Sequence, residues 1–150
     1  MGLTIHYDLK TDLTKSQDVR HLVEATRQHA LDLPFKEVDE VKEIKGAETG
    51  GDDKSDPDRW LKIQSSVFLA QGESYHSVPA NHIIALSTWP GEGCEQANFG
   101  FCQYPSHVKL PSGKKLATKK DGWSWHSFCK TQYASDPKAG GIEKIGRAHV

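Results

Sequence analysis

The rest of this chain is organised around the stretch from Ala85 to Pro105, where an apolar run that begins at Ile83 meets a turn made of proline and glycine. Ile83, Ile84, Ala85 and Leu86 are consecutive and apolar, so neither face of the segment is marked for solvent. That pattern predicts a central strand over His82–Trp89, buried on both sides. Pro90-Gly91-Glu92-Gly93 then breaks the strand and presents Cys94, and the chain returns through Phe99, Phe101 and Cys102 to Tyr104. A turn of this composition joins neighbouring strands. Its expected packing partner is Asp121–Ser135, which holds Trp123, Trp125, His126 and Cys129.

The rest of the chain is read around that hairpin. Leu3, Ile5, Tyr7 and Leu9 alternate with Thr4, His6 and Asp8, the period of a half-buried strand. Thr14 or Ser16 is placed to cap a helix with Asp18 in its first turn. Val19, Leu22, Val23, Thr26, Ala30 and Leu33 fall at helical spacing and form one apolar stripe, which Pro34 ends. Phe35–Lys45 is expected to return as a strand, and Arg59–Ala70 reads as a long one. Tyr75–Val78 is a short pairing strand. His107–Leu110 and Lys115–Thr118 flank Pro111-Ser112-Gly113-Lys114 as a hairpin. From Ser124 to about Ala134 the spacing of Trp125, Phe128, Cys129, Gln132 and Tyr133 predicts a short helix. Trp123, Trp125, Ser127 and Cys129 also alternate as a strand would. The expected fold is α+β: a mainly antiparallel sheet with one long N-terminal helix and a short C-terminal helix on one face.

With 150 residues the chain has room for one domain. No apolar run reaches the ~18 residues of a membrane span, and the N-terminus has no signal-peptide pattern. The three cysteines are irregularly spaced, which reads as reduced thiols and a cytoplasmic location. Net charge is −1, with 14 acids against 9 bases over residues 1–60 and 3 against 9 over residues 101–150. The acidic stretch Ala47–Asp58 lacks the spacing of a calcium loop. The lysines at 109, 114, 115, 119 and 120 gather near a hairpin tip without a nucleic-acid-binding motif, so they read as solvating charge. A small molecule or a protein is therefore the expected partner, ahead of nucleic acid or a membrane.

Residues 145–150, Ile-Gly-Arg-Ala-His-Val, back-translate to the text of a common short-read sequencing adapter. The native domain is accordingly expected to be contained in residues 1–144, truncated after Glu143, with 145–150 derived from the adapter.

Three chemistries compete for the hairpin and its partner. Zinc is the candidate cofactor, with Cys94, Cys102, Cys129 and His126 supplying thiolate and imidazole ligands. The separation of Cys94 from Cys102 does not match a zinc knuckle. A cysteine nucleophile would be Cys94, with His126 or His82 as base and Glu92 or Glu95 as the orienting carboxylate. In that reading Gly91 and Gly93 free backbone N–H groups for an oxyanion. A binding domain would instead use Trp89, Asn98, Trp123 and Trp125 as pocket walls. The simplest alternative has the Trp89–Glu95 loop packed on the 123–129 element without chemistry. A small-molecule- or partner-binding site between residues 89–104 and 121–133 leads, with a zinc protein or cysteine-dependent enzyme as the alternative.

Gly2-Leu-Thr-Ile-His-Tyr7, Trp89-Pro-Gly-Glu-Gly-Cys-Glu-Gln-Ala-Asn-Phe-Gly100 and Trp123-Ser-Trp-His-Ser-Phe-Cys-Lys-Thr-Gln-Tyr-Ala-Ser135 together resemble a family of hypothetical bacterial proteins of planctomycete type, to which no activity is assigned. The resemblance runs from Met1 to Glu143. It implies a continuation beyond Gly140-Gly141 into a helix with a further Cys-His pair, then a last strand, and it implies no mechanism.

Overall fold

The computed structural model describes residues 2–51 and 53–131. The boundary expected at Glu143 and the adapter-like residues 145–150 lie outside the described residues. Along the chain come β1 (Leu3–Thr11), α1 (Ser16–Leu31), β2 (Glu37–Val38), β3 (Lys42–Lys45), α2 (Arg59–Ser65), β4 (Val67–Gln71) and β5 (Ser74–Val78). They are followed by β6 (His82–Trp89), β7 (Ala97–Gln103), β8 (His107–Lys109), β9 (Lys115–Ala117) and β10 (Trp123–Thr131). The fold is mixed α and β, and among the described residues every strand pair is antiparallel.

A six-stranded sheet runs β1-β10-β7-β6-β2, with β3 also on β6. Strand β6 is an interior strand, paired with β7 on one side and with β2 and β3 on the other. Ile83 to Thr88 are all buried, because alternate side chains enter two different cores. Ile84 and Leu86 join Val19 and Val23 of α1 with Phe101 and Trp123. Ile83 and Ala85 join Leu61 of α2 with Cys102 and Trp125. The two helices therefore cover opposite faces of β6, where the sequence suggested helices on one face. At the β6–β7 crossing Gly100 faces Ala85. A Cβ there would stand 2.3 Å from the Ile84 carbonyl oxygen and 2.4 Å from the Ala85 Cβ, so only glycine allows this approach.

Two expected elements change type. Arg59–Ala70 is not one strand: α2 occupies Arg59–Ser65 and β4 begins at Val67. The buried residues of α2 are Leu61 and Ser65, one helical step apart, while the alternation across Leu61, Ile63 and Ser65 only mimics a strand. The preceding loop sets the start of the helix. Asp56 accepts the backbone N–H of Asp58 and an ammonium hydrogen of Lys62. The segment expected as a C-terminal helix is strand β10 through Thr131, and residues 132–134 lie outside the described residues. Period two wins because it alone buries Trp123, Trp125, Ser127 and Cys129 together. Strand β1 then supplies a partner residue for residue, from Leu3 opposite Thr131 to Thr11 opposite Trp123.

Helix α1 matches its predicted stripe only in part. Val19, Val23 and Ala30 are buried, but Leu22 is 37% exposed, and Thr26 and Leu33 are half-buried. Lys15 holds the N-cap position with no side-chain cap bond, in place of Thr14 or Ser16. The stripe is wider than the sheet that meets it, which leaves unfilled volume along one flank.

Candidate functional site

Strands β7 and β10 are joined at one residue pair, Ser124 opposite Cys102. Beyond it side chains replace the ladder. The Asn98 backbone carbonyl accepts the Trp125 indole N–H at 3.0 Å and the Tyr7 hydroxyl. The Asn98 side chain, fully buried, donates its amide to Gln64 Oε1 of α2. The same Gln64 oxygen accepts the Ser127 hydroxyl at 3.1 Å. Tyr104 donates to the Ser65 carbonyl at the end of α2. Burial pushes the Tyr7 phenol up to about 12 and raises that of Tyr104 as well. Asn98 and Trp125, expected as pocket walls, thus cement a seam. One lone pair set is left over: Asn98 Oδ1 is buried without a partner among the described residues.

The other two predicted wall residues are also held by structure. Trp123 is 2% exposed, edge-on to the His82 ring at 4.9 Å between centroids. Trp89 donates its indole N–H to the Cys94 carbonyl at 3.0 Å, and the Lys36 ammonium sits 5.5 Å from its ring. Near the other end of β6, His82 and Arg20 both bond Glu43, each at 2.8 Å. Burial opposes the Glu43 charge, but those hydrogen bonds hold its carboxyl below the usual range. His82 is therefore engaged with Glu43 and remote from Cys94.

The cysteine readings divide in the same way. Cys94 is half-buried in a turn closed by its own N–H to the Gly91 carbonyl at 3.1 Å, with Gly91 and Gly93 at φ of 130° and 79°. Glu92 is exposed beside it. This loop docks on β10: Glu95 N–H donates to the Lys130 carbonyl at 2.8 Å, and the Cys129 thiol to the Glu95 carbonyl at 3.5 Å. Cys129 therefore touches the residue that follows Cys94. Cys102 is fully buried near the opposite end of the β6–β7 hairpin, opposite Ile83. His126 projects from β10 to the face opposite Cys129, by strand alternation, and its Nδ1 bonds the exposed Asp8 carboxylate at 2.7 Å.

The structure therefore does not assemble the expected zinc set of Cys94, Cys102, Cys129 and His126, nor bring His126 to Cys94 with Glu92. Among the described residues no three His, Cys, Asp or Glu side chains gather to hold a metal. Burial pushes the thiols of Cys102 and Cys129 up to about 12, with Cys94 and Glu95 adding to the effect at Cys129. Both are held as neutral thiols.

What the sequence did not single out is a cavity on the α1 side. About 470 Å³ opens between the C-terminal half of α1 and the sheet, lined by Thr26, His29, Ala30, Asp32, Leu33, Phe35, Leu86 and Phe99. A second space of about 230 Å³ adjoins it through Thr26 and Phe99, bounded by Leu9, Leu22, Val23, Gly100 and Phe101. The walls are mostly apolar. Polar groups collect at the helix end, where His29 and Asp32 are exposed and the Thr26 hydroxyl is spent on the Leu22 carbonyl. The signal in the sequence was the width of the helical stripe: Leu22, Thr26 and Leu33 are the residues that the sheet fails to cover. Among the described residues no helix is long and apolar enough to cross a membrane. Compared with known proteins, the chain matches no protein-family model, no curated protein and no solved structure.

Proposed function

We propose that this chain is a small-molecule-binding domain whose site is the cavity between α1 and the β6–β7 hairpin. The observation that carries the reading is the cavity itself. Its ~470 Å³ falls within the roughly 300–1,000 Å³ of small-molecule sites, which pair apolar walls with a few polar groups. Leu33, Phe35, Leu86 and Phe99 would contact an apolar body, and His29 and Asp32 would meet a polar group at the rim. The site shares Phe99 with the stretch 89–104 but takes most of its walls from α1. The ligand class this favours is a compact, largely apolar molecule with one hydrogen-bonding group. A zinc protein or a cysteine-dependent enzyme gains no support from the placement of Cys102 and His126 away from Cys94.

The test is thermal unfolding of the purified chain with indole and p-cresol, beside a Leu33→Trp variant that fills the mouth of the cavity. Binding to the folded state alone stabilises by about 2.7 kcal/mol at a ligand concentration a hundred times Kd. The expected result is a saturable rise in Tm for the parent chain, absent in a folded Leu33→Trp variant. An equal rise in both, or none in either, contradicts the reading.

A further inference from the structure

We propose that Cys94 and Cys129 form a peroxide-sensitive thiol pair, in which Cys94 is oxidised first and Cys129 closes an intramolecular disulfide. This is independent of ligand binding at the α1 cavity. The pairing rests on how the 91–95 turn is docked. Glu95, the residue after Cys94, is fixed to β10 twice, by its N–H to the Lys130 carbonyl at 2.8 Å and by its carbonyl to the Cys129 thiol at 3.5 Å. The Cys129 sulfur thus touches the Glu95–Gln96 peptide unit, one residue beyond Cys94. Their proximity is felt electrostatically too, since Cys94 helps to raise the Cys129 thiol.

The two sulfurs differ in access as an oxidised and a resolving cysteine must. Cys94 is half-buried at a turn, whereas Cys129 is 1% exposed beneath Ala97, Phe35 and Phe99. A disulfide needs an S–S separation near ~2 Å and Cβ atoms about 3.5–4.5 Å apart. The turn that presents Cys94 is built on Gly91 and Gly93, at φ values that other residues rarely adopt. Cys102, fully buried near the far end of β7, serves as an internal control.

The chemistry balances with a hydroperoxide as the co-reactant. The Cys94 thiolate attacks one peroxide oxygen, the O–O bond breaks, and Cys94 sulfenic acid forms with release of water or an alcohol. The Cys129 sulfur then displaces the sulfenic oxygen. The S–S bond forms, the S–O bond breaks, and hydroxide leaves with the thiol proton as water. Two electrons pass from the thiols to the peroxide.

The experiment treats the reduced full chain with hydrogen peroxide, blocks remaining thiols by alkylation, and maps peptides without reduction. The expected result is a monomer lighter by about 2 Da, with a Cys94–Cys129 crosslinked peptide and Cys102 alkylated. Dithiothreitol should reverse the change. Cys129→Ala should instead leave Cys94 as a sulfenic acid trapped by dimedone, and Cys102→Ala should behave as the parent. The parent's map decides even if Cys129→Ala fails to fold. Cys94 oxidised while Cys129 remains alkylatable overturns the proposal. So does a crosslink containing Cys102, a disulfide formed only between chains, or an unoxidised Cys94.

Discussion

Adjacent residues of β7 face two different interiors. Asn98 turns to the α2 side, where its amide meets Gln64 and its carbonyl takes Trp125 and Tyr7. Phe99 turns to the α1 side, where it lines both unfilled spaces. One side is cemented by directional bonds, which restrict the arrangements open to it even though Asn98 Oδ1 lacks a partner among the described residues. The other is apolar and incompletely filled, and apolar contact is non-directional. The larger space for a ligand lies on the apolar side. Side chains that look chemically interesting, Asn98 and Trp125 above all, are spent on holding α2 and β10 together. Leu33, Phe35 and Phe99, which carry no chemistry, leave the room.

Alkali should break this arrangement most completely, because buried neutral acids line both sides of β7. Cys102 and Cys129 have folded values near 12 against an ordinary 9.0, and Tyr7 near 12 against 10.0, each raised first by burial. Folding favours their neutral forms. Their contribution is fully present below pH 9 and is lost as pH climbs towards 12. Urea midpoints measured from pH 8 to 11 should fall steadily; a flat profile would mean these groups are not buried together.

Gly100→Ala comes next. The added methyl group would meet backbone and the Ala85 Cβ at about 2.3–2.5 Å, so β6 and β7 must separate. The expected loss exceeds the ~1–3 kcal/mol typical of overpacking, and chemical denaturation measures it. Trp125→Ala should follow, at ~3–5 kcal/mol for a buried aromatic. Trp89→Ala should cost less, because Trp89 is only half-buried. Equal losses at the two tryptophans would blur the contrast between seam and loop. Asn98→Ala should cost about 1–3 kcal/mol by stranding a hydrogen-bond partner. The loss should shrink when Gln64 is replaced by leucine as well, and strictly additive effects would argue against the network.

Much of this fold was legible. Strand β6 followed from four consecutive apolar residues, β1 from strict alternation, and α1 from its stripe and Pro34. The errors share a cause. Residues 59–65 and 123–131 each satisfy helical and strand periods, and tertiary partners decide between them. Leu61 and Ser65 choose the helix by meeting the sheet one turn apart, and β1 chooses the strand by pairing the whole of β10. The site was less legible. Sequence marks residues by chemistry, so Cys94, His126 and the tryptophans stood out. An empty volume belongs to no single residue and shows only once helix and sheet are placed.

That a ligand enters on the α1 side, rather than at the smaller space of about 290 Å³ beside Gln64 on the α2 side, is tested most directly by titrating the isotope-labelled chain with indole and following backbone amide NMR shifts. Saturable shifts at Thr26, Ala30, Leu33, Leu86 and Phe99, with Gln64, Asn98 and Ser127 unmoved, are the predicted outcome. Shifts centred on Asn98 and Trp125, or no saturable shift at all, would contradict it.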